Sequence, residues 1–135
     1  MTASPSTVVR HLAIGAVAVG ATGALLASGP AATAAAPARS TVTIQAEGVE
    51  LSGTLTSTRE ECIEGRKVLV FKQVGRRGGG DDVRMFSDVV SLTDEGVGEW
   101  STGNTGIEGR FYAKVRTTSQ CKVDLSPTVT ARRND

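Results

Sequence analysis

Arg66-Lys67-Val68-Leu69-Val70-Phe71-Lys72-Gln73-Val74, bounded by Gly65 and Gly75, is the stretch that decides the fold. β-Branched and aromatic residues dominate its centre, and a short apolar run closed by glycines at both ends predicts a strand rather than a helix. Because that centre is continuous rather than alternating, the strand belongs inside a sheet and not at its edge.

On either side of it the pattern has period two. Val42, Ile44 and Ala46 alternate with Thr41, Thr43 and Gln45; Val49, Leu51, Gly53 and Leu55 alternate with Ser52, Thr54 and Thr56. Downstream, residues 83–86, 89–92, 99–102, 110–117 and 128–130 carry the same signature of half-buried strands. Glycine-rich turns separate them at intervals of about 8–15 residues, and no segment after the N-terminal one spaces its apolar residues as a helix requires. The expectation is an all-β chain folded as one seven-stranded antiparallel β-sandwich, prealbumin-like or immunoglobulin-like.

The first 34 residues read differently. Arg10 and His11 precede an apolar run over residues 12–27, and Ala32-Thr33-Ala34 supplies small residues at cleavage spacing. This is the order of a secretory signal peptide; the run is short for a membrane span and is diluted by Gly15, Gly20 and Gly23. The predicted organisation is therefore a cleavable leader over 1–34, a disordered mature start over 35–40, a sandwich domain over 41–131 and a tail over 132–135. A secreted, extracellular product without a membrane anchor follows.

Composition narrows the chemistry. With 39% hydrophobic but only 4% aromatic residues, the core must be aliphatic. Once Arg10 leaves with the leader, fourteen basic residues balance fourteen acidic ones, alternating along the chain as on an ordinary solvated surface. That balance argues against nucleic acid and against polybasic membrane attachment, both of which need clustered cations. The cysteines, Cys62 and Cys121, predict a disulfide in an oxidising compartment. Closing a loop of 59 positions is worth about 4 kcal/mol in the chain-entropy model.

Cys62-x-x-x-Arg66-Lys67-Val68, Thr93-Asp94-x-Gly96 leading to Trp100, Gly109-Arg110-Phe111-Tyr112-Ala113-x-Val115, and Cys121 followed by Ser126 resemble small secreted actinobacterial sandwich proteins. They are similar to the prealbumin-like group with its carboxypeptidase regulatory-like and transthyretin-like domains, over Thr41 to about Ala131. The resemblance implies an accessory or interaction module. The hydroxyisourate-hydrolysing branch of that group uses histidines and a Tyr-Arg-Gly-Ser tail; this chain ends Ala131-Arg132-Arg133-Asn134-Asp135, so that activity does not carry over.

The single histidine, His11, lies in the leader, which removes histidine-based hydrolases and histidine metal sites from the expected mature part. No catalytic residue, metal site or cofactor is expected. A carboxylate pair drawn from Asp94, Glu95 and Glu99 or from Asp81 and Asp82, or calcium ligation by Asp81, Asp82, Asp94 and Glu95, would be the remaining chemistries, with Asp94 as a turn cap the simpler reading. The loop Gly75–Asp82 lacks the ending of a phosphate loop and reads as a mobile hairpin connection whose Arg76, Arg77, Asp81 and Asp82 contact a partner. A second contact loop is expected around 103–109. Trp100 and Tyr112 are candidate aromatic contacts, although a lone Trp in a sandwich more often fills the core. The expected function is a secreted non-catalytic module binding an unidentified protein, with a carbohydrate- or cell-wall-binding module as the alternative and a carboxylate-based hydrolase third.

Overall fold

In a computed structural model of the chain, residues 35–134 are described; the expected signal peptide lies outside them. Ten short strands follow in order: β1 (Ser40–Val42), β2 (Gln45–Glu47), β3 (Glu50–Ser57), β4 (Lys67–Lys72), β5 (Val83–Val89), β6 (Ser91–Leu92), β7 (Gly98–Asn104), β8 (Gly109–Val115), β9 (Asp124–Leu125) and β10 (Val129–Ala131). A 3₁₀ turn, Glu60–Cys62, carries the chain from β3 to β4. The quoted stretch forms β4, which is internal as expected, held between β5 and β8.

The ten segments are seven strands with interruptions. β1 and β2 flank one edge of β3 and are broken at Thr43–Ile44; β9 and β10 flank β8 and are broken at Ser126–Thr128; β5 runs through Val90 into β6 and changes sheet as it does so. Numbering these seven in chain order, the first sheet is 1-2-5-4 and the second 7-6-3-4, all antiparallel. Of the two topologies expected, this is the strand order of an immunoglobulin-type sandwich.

Between the sheets lies one core. Val42, Leu51, Leu55 and Trp100 from the first sheet meet Val68, Val70, Phe111, Ala113, Val115 and Ala131 from the second, with Ile63 and Val90 closing the end. Trp100 is 3% exposed. Its ring lies opposite Gly53, and its Nε1 donates to the Thr43 carbonyl at 3.2 Å. Glycine is required at 53 because a β-carbon there would come within 2.1 Å of that same carbonyl oxygen. The break between β1 and β2 therefore serves to bring a backbone acceptor to the one indole of the chain.

Cys62 and Cys121 are joined, with Cα atoms 5.6 Å apart, and both are buried. The bond ties the 3₁₀ turn to the segment after β8. Order begins earlier than the sequence suggests: the 35–40 segment expected to be disordered includes Ala38, whose N–H donates to Gln120 and whose carbonyl accepts from Lys122, placing it over the disulfide. A Pro- and Ala-rich tract gives no local sign of this because its partners are about eighty positions away. At the other terminus Arg132 and Arg133 are also held, donating from their backbone to Gly48 O and to the Glu108 carboxylate.

Candidate functional site

Because side chains alternate across a strand, burying Val68 and Val70 in the core turns Lys67, Leu69 and Phe71 to the outside of the second sheet. The registers then align the rest. Arg84 stands opposite Phe71, Ser87 opposite Leu69, Lys114 opposite Leu69 on the other side, and Tyr112 opposite Phe71; Arg110 follows on β8 and Arg116 just beyond it. The outer positions of β4, β5 and β8 thus carry Lys67, Arg84, Arg110 and Lys114, and no carboxylate. The acid of β5, Asp88, instead accepts the Ser101 backbone N–H of the first sheet at 2.8 Å.

The outer face of the first sheet has the opposite character. Glu50, Ser52, Thr54 and Thr56 of β3 align with Gln45, Glu47, Glu99, Ser101 and Ser91 of the neighbouring strands. Glu50, Asp88 and Glu99 line one shallow depression there with hydroxyl side chains between them. At the outer strand positions, charges that alternate along the sequence are segregated by the fold: the two sheets carry opposite signs there, whereas the loops keep both signs, as the Gly75–Asp82 loop does with Arg76 and Asp81.

One half of the cationic face is covered by the Gly75–Asp82 loop. The composition of this loop predicts a mobile connection; the structure instead fastens it to the sheet through two of its four candidate contact residues, Arg77 and Asp82. The Tyr112 hydroxyl donates to the Asp82 carboxylate at 2.7 Å, which also accepts the backbone N–H groups of Val74 and Gly78 at 3.0 and 2.9 Å. Arg77 donates to the Ser126 carbonyl. Below the loop Phe71 and Tyr112 stack with centroids 5.4 Å apart. Asp82 and Arg77 are thus the loop's fasteners, leaving Arg76 and Asp81 exposed at its surface.

The Tyr112 hydrogen bond, followed by the backbone N–H donors, holds the Asp82 carboxyl below its ordinary range. Burial first, and the Asp82 hydrogen bond second, push the Tyr112 phenol up to about 12. Since a raised folded-state value favours the protonated form, the contribution of Tyr112 to stability is complete below pH 10 and declines between pH 10 and about 12. Tyr112 is the only tyrosine. Absorbance titration at 295 nm should therefore show a single phenolate transition near pH 12, and Asp82→Asn should move it toward 10.

Neither candidate aromatic contact is available at the surface: Trp100 is 3% and Tyr112 2% exposed. Trp100 faces the core, and Tyr112 faces outward but is roofed by the loop. The acidic turn is likewise different from expectation. Thr93, not Asp94, caps it, with its hydroxyl accepting the Val97 N–H, while Glu99 points from the outer face of β7 and is grouped with Glu50 rather than with Asp94 and Glu95. Among the described residues no three His, Cys, Asp or Glu side chains are placed to hold a metal. The 103–109 loop is tied by Thr105 to Val49 O and by Arg133 to Gly106 O.

The uncovered half of the cationic face holds a depression that no local sequence pattern marks. Leu69 faces outward yet is 2% exposed, because it forms the floor of a depression of about 270 Å³ walled by Gly65, Arg66, Lys67, Arg84, Arg116 and Thr118. Arg66 is itself buried, with Nη2 donating to Arg116 O at 2.7 Å and Nη1 to Cys62 O at 3.3 Å. Burial lowers its pKa from the usual arginine value. Set against models of known protein families and against curated proteins, the chain matches none.

Proposed function

We infer that the chain is an exported, non-catalytic interaction module that engages an acidic protein surface with the outer face of its second sheet. The observation that carries this reading is the row Lys67, Arg84, Arg110 and Lys114 on adjacent strands with no carboxylate at an outer position among them. A face of one sign accelerates encounter with a partner of the other and rejects like-charged ones, and a rigid two-sheet scaffold keeps that pattern fixed. The likeness of the Thr93-Asp94-x-Gly96 turn and the β8 strand to small secreted sandwich modules supports an accessory role in the same direction. A glycan-binding role loses its support, since sugar stacking needs exposed rings and both candidate rings are covered.

Capture of secreted and envelope proteins on immobilised protein, at low and at physiological salt, tests the reading. The captured partner should be acidic, its retention should fall with salt, and Arg110→Glu with Lys114→Glu should abolish it. Retention unchanged in that variant would remove the second sheet as the contact face.

A further inference from the structure

Arg66 is a guanidinium 7% exposed that has no acid among the residues around its depression; its protein acceptors are two backbone carbonyls. A guanidinium carries five N–H donors, so those two bonds leave three without a protein acceptor among the described residues. Burying a cation without a counter-charge is costly, and the usual solution in a protein is a carboxylate partner. Here the neighbours are cations instead: Lys67, Arg84 and Arg116 share the same walls, and Thr118 adds a hydroxyl. Four cationic residues line one pocket with an apolar floor at Leu69, and Gly65 leaves one wall without a side chain.

Carbonyl bonds account for Arg66 as a tie between the disulfide turn and the segment after β8, but they leave its buried charge without a counter-charge in a depression whose other charged lining residues, Lys67, Arg84 and Arg116, are all cationic. A bound anion would supply that counter-charge and accept the unused guanidinium donors in the fork geometry that suits tetrahedral oxyanions. We propose that the depression walled by Arg66, Lys67, Arg84, Arg116 and Thr118 is a binding site for a phosphate- or sulfate-type oxyanion. The site shares Lys67 and Arg84 with the protein-partner reading, but Arg110 and Lys114, which test that reading, do not line it, so the two can fail separately.

The experiment is an amide-resolved NMR titration of the purified protein with inorganic phosphate, sulfate and a poly(glycerol phosphate), with sodium chloride replaced to keep ionic strength constant. Saturable shifts centred on Gly65, Lys67, Leu69 and Thr118 are expected. Lys67→Gln and Arg84→Gln, both exposed positions that should leave the melting temperature nearly unchanged, should each weaken binding by about tenfold, the loss of one charge-assisted hydrogen bond. Tighter binding of the polymer than of the free ions identifies an ester-linked anion as the ligand, and comparable binding identifies the free ion; either supports the site. Non-saturating drift that is the same in wild type and in both variants overturns it, and would leave partner capture through Arg110 and Lys114 standing.

Discussion

Cys62→Ala with Cys121→Ala should lower the stability of the domain by about 4 kcal/mol, from the chain entropy released when a loop of 59 positions is opened. Alanine is the appropriate replacement because both sites are buried and serine would add a desolvated hydroxyl. The effect extends beyond entropy. The bond fixes the 3₁₀ turn from which Arg66 takes Cys62 O as acceptor, and it underlies the Ala38 pairing with Gln120 and Lys122. For a domain of about a hundred residues, whose total stability is on the order of 5–15 kcal/mol, the melting temperature should drop by roughly 15–30 °C. A drop of only a few degrees would show that the clasped end contributes little.

Trp100→Ala should cost a similar amount, about 3–5 kcal/mol, from lost burial and the cavity left behind. The particular geometry adds to this. Removing the indole leaves the Thr43 carbonyl without its side-chain donor next to a glycine, at the point where the β1–β2 strand is interrupted, so local fraying of β1 and β2 should accompany the global loss. Hydrogen exchange should show the amides of Val42 and Thr43 losing protection first. Trp100→Phe, which keeps a ring but not the donor, should recover most of the stability while leaving those amides faster than in the wild type. If the two variants matched in stability and exchange, the ring would not be part of the core.

The period-two pattern reveals the strands, and the central place of β4 follows from the continuous run Val68–Phe71 alone. The same continuous apolar run does not say which of its residues enter the core: Val68 and Val70 do, whereas Leu69 and Phe71 face outward, Leu69 lining a depression with Lys67 and Arg84 and Phe71 stacking on Tyr112. The loop's Gly and Arg composition is that of a mobile connection; its fastening rests on Asp82 meeting Tyr112 thirty positions away, which no local pattern shows. Charge segregation is hidden for a deeper reason. Alternation sends each charge to a face, but which face depends on which neighbour enters the core, and the faces of separate strands add up only after pairing is known. Lys67, Arg84 and Lys114 lie apart in sequence and are brought to one side of the second sheet through the β4–β5 and β4–β8 registers. One signal is legible in the sequence: every acid of β3 and β7 lies on the side opposite Leu51, Leu55 and Trp100, and Lys67, Arg110 and Lys114 lie on the side opposite Val68, Val70 and Ala113, with Lys72 at the end of β4 the exception.

Ion-exchange behaviour tests that segregation most directly and needs no partner. At pH 7 and low salt the purified protein should be retained both on a sulfonate and on a quaternary-amine matrix, and Arg84→Gln with Lys114→Gln should lose retention on the sulfonate alone. Passage of the wild-type protein through both columns would mean that positive and negative side chains are intermingled over its surface, and the division into two oppositely charged faces would be refuted.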